Sequence, residues 1–338
     1  MKEFEDIVLT AYIVLIGLLS AILISRYWYY RKTRKARTKI FSEPKFIVFC
    51  RIVTVLVISI FILGFVNYLF ILQKGNLFAP YWGKVSVVSL LTLLCISEII
   101  YNLYPLPTKT NRILNIVFLI PLSGFAFLFT QTYLKAINHP AESSSIIIEL
   151  PFEGTWIASG AGGSGITNHH DRIESQKYAI DIVKFGDNNR LFENEGIKNE
   201  DSYTFGAKVI SPVNGKIVFA LDTLPDVKNT DKDKLAGNHI IIQFQDTLFV
   251  ALAHLKQNSI QVKQGDIVGI GQELALVGNS GNTDFPHLHI HIQDTETYDI
   301  TTSKTFPIRF RTYKRMRYLF WTRQTNNFLL SNDIVKPN

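Results

Sequence analysis

The chain has 338 residues, is 47% hydrophobic and 12% aromatic, and carries 35 Lys/Arg against 28 Asp/Glu for a formal charge of +7. The charge is uneven: residues 1–145 hold 15 basic and 6 acidic side chains (+9), and residues 146–338 hold 20 and 22 (−2). The length suits two units, the second half has no basic stripe for nucleic acid, and with cysteines only at 50 and 95 it has neither a disulfide frame nor a thiolate metal site.

The excess of apolar residues lies at the start. Residues 7–24 form an uncharged apolar run of about the minimum length for a bilayer crossing. Four transmembrane helices are expected, at about 7–27, 50–72, 85–104 and 113–134, because these runs lack the polar face of a soluble bundle helix. The first has no basic leader and no small-residue cleavage site, so it does not read as a removed signal peptide. Seven Lys/Arg follow it in "RYWYYRKTRKARTK", which places that loop in the cytoplasm. The N-terminus is then outside and, after four crossings, so is the C-terminal part. Trp28, Tyr29, Tyr30, Tyr81 and Trp82 fit an interfacial belt. Glu98 has no charged partner on the other spans and reads as interfacial.

Residues 1–137 thus form the membrane region, and the polar stretch "NHPAESSS", 138–145, reads as a linker. Residues 146–338 change to short β-branched stretches divided by Gly, Asn, Asp and Pro, such as "KIVFAL", "NHIIIQF", "ELALVG" and "HLHIHI". They predict an all-β domain of antiparallel hairpins. Two polar loops, 183–206 and 221–236, either line a groove or are solvated insertions.

Three motifs are set aside. "GAGGSG" at 160–165 matches a dinucleotide pattern, but no apolar helix follows it. No phosphate-binding loop occurs, and no GxSxG nucleophile turn. His139 and His239 read as structural or surface residues.

What remains is "DFPHLHIHIQD", with His287, His289 and His291 at a period of two. Extended, these side chains leave one face, roughly 6.5 to 7 Å apart. That suits one metal ligand and a neighbour acting on what the metal activates. Asp181 stands in the apolar strand "YAIDIV", where an unpaired carboxylate is expensive and a cation or metal partner is expected. Two imidazoles and one carboxylate leave tetrahedral zinc an open position for hydrolysis.

Residues of about 150–300 resemble the lysostaphin/LytM-type zinc endopeptidases, which cut peptide cross-links in bacterial cell walls. "ISPVNGKIV", "GNHIIIQF" and "AHLKQNSIQVKQGDIVGIGQELALVGNSGNTDFPHLHIHI" carry the resemblance, and "FLLSNDIVKP" resembles the closing segment of some relatives. It implies a barrel-sandwich fold of antiparallel sheets with one Zn2+. His289 would be a zinc ligand, His287 a catalytic histidine and His254 its partner. The family's first histidine ligand stands four residues before the aspartate, and here that residue is Lys177, which has no lone pair while protonated. The "NHH" eleven residues before Asp181 offers His170, or else His169, on a lengthened flexible loop, so the expected metal set is His170, Asp181 and His289. His291, where relatives usually carry another residue, is expected either to stand behind a ligand or to line the groove, and not to bind the metal itself.

The resemblance implies metal-assisted hydrolysis of peptidoglycan stem or cross-bridge peptides outside the cytoplasmic (inner) membrane. Zinc brings the pKa of its water to about 7, and His254 and His287 handle protons and the oxyanion. The other readings are a module without zinc that activates cell-wall amidases, and a lipoyl-like carrier, which the HxH strand disfavours. The lipid bilayer is an expected partner; the sequence names no protein partner.

Overall fold

A computed structural model of the chain describes residues 2–37, 45–67, 70, 81–103, 123–124, 126–128, 130–186, 190–194 and 196–338. Two compact units emerge, one within 6–134 and one built on Lys135–Asn338.

The first unit contains α1 (Lys2–Thr33), α2 (Lys45–Asn67) and α3 (Tyr81–Leu103). Among the described residues two stretches are long and apolar enough to cross a membrane, Asp6–Thr33 and Lys45–Val66, with only 17% and 6% of their apolar windows buried. The expected third span, 85–104, falls in helix α3, which runs to Leu103, and among the described residues Trp82–Ser97 of it forms a shorter apolar helix. The fourth expected span, 113–134, falls largely outside the described residues. Among the described residues, then, two helices meet the length and apolarity of a crossing.

The second unit is mostly β. Its strands are β1 (Ile146–Ile148), β2 (Trp156–Gly160), β3 (Ile180–Lys184), β4 (Lys208–Ile210), β5 (Gly215–Leu221), β6 (Asn238–Gln245) and β7 (Leu248–Leu255). They continue with β8 (Ile267–Val268), β9 (Glu273–Leu276), β10 (Leu288–Gln293), β11 (Thr305–Phe306), β12 (Ile308–Met316), β13 (Trp321–Asn327) and β14 (Ile334–Lys336). The large sheet runs β1-β12-β14-β2-β3-β10-β7-β6-β5-β8, with β11 on β10 and β13 on β12, and β4 and β9 form a separate pair.

All these pairs are antiparallel except β1–β12. The parallel pair corrects the purely antiparallel expectation. A hairpin forces neighbours to run in opposite directions, but Ile146 and Ile308 are separated by nearly the whole unit and no turn dictates their sense. The segment expected as a linker lies against this end of the sheet. Arg309 Nη2 donates to the Pro140 carbonyl at 2.7 Å, Asn326 Nδ2 to Glu142 Oε1 at 2.8 Å, and His139 stacks on Phe328 with centroids 4.2 Å apart.

The period of two sorts the central strands. Ile180, Ile182, Ile240, Ile242, Leu252, Leu288, Ile290 and Ile292 enter one cluster with Val209, Leu274 and Ala275 of the small sheet. Burying each such side chain contributes about 1.5–3 kcal/mol. The intervening residues of β3 and β10, Asp181, His289 and His291, must then face the other side. The core thus dictates which face carries the polar cluster.

Candidate metal centre

Asp181 is the hub. It lies opposite His289 in the β3–β10 register, is 5% exposed, and meets imidazoles at both oxygens. Oδ2 lies 2.9 Å from His170 Nε2 and 3.3 Å from His169 Nε2. Oδ1 lies 2.9 Å from His289 Nδ1 and 3.5 Å from His287 Nε2. Burial works against both charges of the His170–Asp181 pair, but their mutual attraction prevails: His170 is held above its ordinary value and Asp181 well below its own. A cation can displace the proton between them, since ligand imidazoles bind neutral.

His170 reaches Asp181 through a short 3-10 turn, His169–Arg172, capped by Asn168. Asn168 Oδ1 accepts the His170 amide at 3.1 Å, and its Nδ2 donates to the carbonyls of Gly162 at 3.0 Å and Ala179 at 2.9 Å. Asn168 is fully buried. The loop expected to be loose is pinned by this amide to the approach of β3. Lys177 pairs instead with Glu174 at 3.5 Å. His169 is half exposed, with 53% of its side chain open.

His254, near the end of β7, has φ +60°, a left-handed conformation uncommon outside glycine. Its Nδ1–H donates to the Ser280 carbonyl at 2.8 Å. Ser280 is set by Gly237 (φ +62°), where a Cβ would fall 2.2 Å from that same carbonyl oxygen. His287 Nδ1–H donates to the Phe285 carbonyl at 2.9 Å. Both histidines thus leave Nε2 with a lone pair, and their rings lie 4.7 Å apart. Burial first, then His287 and His289, hold His254 well below its ordinary value. Burial brings His289 down to about 3 and His291 to about 4.

On its far side His289 Nε2 lies 3.0 Å from His291 Nδ1, and His291 Nε2 lies 2.6 Å from Gln293 Oε1. The Tyr298 hydroxyl is 3.5 Å from His289 Nε2 and accepts from Gln176 Nε2 at 2.8 Å. His239 stands apart, its Nδ1–H on the Gly237 carbonyl at 2.8 Å and its ring stacked on Phe219.

The structure therefore brings His169, His170, Asp181, His254, His287, His289 and His291 into one cluster. His169, His170 and Asp181 place potential ligand atoms within 4.8 Å of one another and could hold a metal ion. Imidazole nitrogens with a carboxylate oxygen are a donor set that fits zinc. Sequence reasoning missed Asn168, Ser280, Gln293 and Tyr298. Only Asn168 left a signal, as an Asn immediately before a turn.

Residues 194–300 match Peptidase family M23. The match contains His254, His287 and His289 and begins after Asp181. Curated relatives include the cell division protein DipM of Caulobacter vibrioides, 27% identical over 48% of this chain and 23% of its own. The peptidoglycan DD-endopeptidase ShyB of Vibrio cholerae is 32% identical over 26% of this chain and 18% of its own. This chain therefore spans about a fifth of the length of these relatives. Among solved structures, the catalytic domain of the antimicrobial peptidase lysostaphin from Staphylococcus simulans is 19% identical, covering 50% of this chain and 95% of that one, with a TM-score of 0.26. A zinc containing peptidase from Vibrio cholerae is 30% identical over 27% of this chain and 24% of that one, with a TM-score of 0.22.

Proposed function

We propose that the protein is a membrane-anchored zinc metallopeptidase that hydrolyses peptide cross-links of bacterial peptidoglycan on the outer side of the cytoplasmic membrane. The observation that carries the reading is the placement of His170 Nε2 and His289 Nδ1 each 2.9 Å from a different oxygen of Asp181. His170, Asp181 and His289 hold the metal. The unburied apolar stretches Asp6–Thr33 and Lys45–Val66 support the anchor, and the basic residues after α1 support a cytoplasmic first loop.

Bound zinc supplies Lewis acidity toward water and the scissile carbonyl. The chain's own part is proton handling. His254 and His287, each tethered at Nδ1 by a backbone carbonyl, take a proton at Nε2 and return it to the leaving amine nitrogen. Their burial keeps bulk water from competing.

The test is incubation of the full chain, purified in detergent and loaded with zinc, with isolated peptidoglycan. Mass spectrometry should find new amino and carboxyl termini within the stem or cross-bridge peptides, absent with Asp181→Asn. A zinc-loaded chain that binds peptidoglycan and cuts nothing would instead favour a regulatory module acting on amidases.

A further inference from the structure

His291 and Gln293 are both buried, 1% and 0% exposed, behind His289. Their bonds fix the ring protons of the whole row. Gln293 Nε2 donates to the carbonyls of Thr295 at 2.7 Å and Thr297 at 2.9 Å. Both amide hydrogens are thereby used, and a flipped amide would set its oxygen against two carbonyls. Gln293 Oε1 must face His291 Nε2, at 2.6 Å, so that nitrogen carries the hydrogen.

A neutral imidazole has one N–H. His291 Nδ1 is then an acceptor, and the hydrogen of the 3.0 Å contact with His289 Nε2 belongs to His289. The neutral His289, the form that binds metal, is left with a bare Nδ1, 2.9 Å from Asp181 Oδ1. Two acceptors at that distance repel unless a cation lies between them.

We infer that His291 and Gln293 form a positioning relay that locks His289 in its Nε2–H tautomer and so presents Nδ1 to the metal. The inference rests on the zinc reading above and deepens it: a backbone-anchored amide, four residues beyond the ligand and acting through His291, selects the ligand atom. A hydrogen bond on the far nitrogen of a ligand imidazole orients it and raises its basicity. The Tyr298 hydroxyl, 3.5 Å from the same nitrogen, is too distant for a strong bond and serves as a control.

The experiment uses the full chain in lipid nanodiscs, with 15N-labelled histidine rings assigned by subtraction and zinc added. His289 should show a protonated Nε2 and a zinc-bound Nδ1, and Tyr298→Phe should leave that pattern unchanged. His291→Leu should weaken zinc binding 10- to 100-fold in chelator competition, the usual worth of such a partner. His291→Gln, which retains an acceptor, should recover most of it. A proton on Nδ1 of zinc-loaded His289, or wild-type zinc affinity in folded His291→Leu, overturns the relay and leaves the zinc reading standing. Absence of zinc uptake by the wild-type chain overturns both. Should His291→Leu not fold, the wild-type ring pattern and His291→Gln decide.

Discussion

Asp181 and His289 face one another across the β3–β10 ladder and meet at 2.9 Å, although 108 residues separate them in the chain. Their pairing is fixed by the apolar residues on either side, Ile180 and Ile182 against Leu288 and Ile290, which turn to the opposite face. His170→Ala, Asp181→Asn and His289→Ala should each reduce zinc well below about one ion per chain. His169→Ala, altering a half-exposed ring, should retain most of it. Zinc content after gel filtration checks this. Zinc lost from His169→Ala and kept in His170→Ala would exchange the two assignments.

His254→Ala and His287→Ala should leave zinc bound and slow peptide cleavage by roughly 10² to 10⁴-fold, the usual worth of a positioned acid or base. Gly237→Ala should act on the same step from a distance, by pushing the Ser280 carbonyl from His254. Turnover rates alongside metal content separate these variants from ligand loss; full turnover in any of the three refutes its role.

Asn168→Ala strands the His170 amide and two buried carbonyls. It should destabilise the zinc-free second unit by about 1–3 kcal/mol and lower zinc affinity, because the turn that carries His170 loses its cap. Denaturant unfolding with and without zinc measures both. An unchanged midpoint together with unchanged affinity would show the loop to be held by something else.

Burial, with the nearby Arg309, brings His139 down to about 4, and burial also lowers His239. Between pH 4 and the unfolded value of about 6.5 the unfolded chain binds more protons at these sites, so stability rises with pH across that window. It is fully present above about pH 6.5 and is lost as the pH falls toward 4. His139→Phe, which keeps the stack on Phe328, should flatten part of this slope. Thermal midpoints of the zinc-free protein at pH 7 and pH 5 provide the check, and equal slopes for the variant and the wild type would dismiss His139 as a contributor.

The strand period made much of the site legible: it put His289 and His291 on one face, and Asp181 stood out as a charge in an apolar strand. What sequence could not show was contact at long separation. Nothing in the spacing tells that Asn168 reaches Ala179, that Gln293 closes a row of ring nitrogens, or that His254 adopts a left-handed φ. Strand β12 alternates Ile308 and Phe310 with Arg309 and Arg311, but its basic residues masked that period of two, so its place beside β1 and β14 went unread.

The order β12-β14-β2-β3-β10 sets where the molecule can be cut and rejoined. Residues 194–300 carry β10 with His254, His287 and His289, but the carboxylate they surround enters on β3, whose outer neighbour β2 is closed by β14. That closure is itself fastened by Asp333, fully buried and gripped at both oxygens by Arg317 at 2.7 Å. Excised at 194 and 300, the β-sheet would expose an unpaired flank of β10 ready to add strands from other molecules. A chimera that borrows this site must therefore transplant the polar entry segment from 138 and the last hairpin together with the histidines.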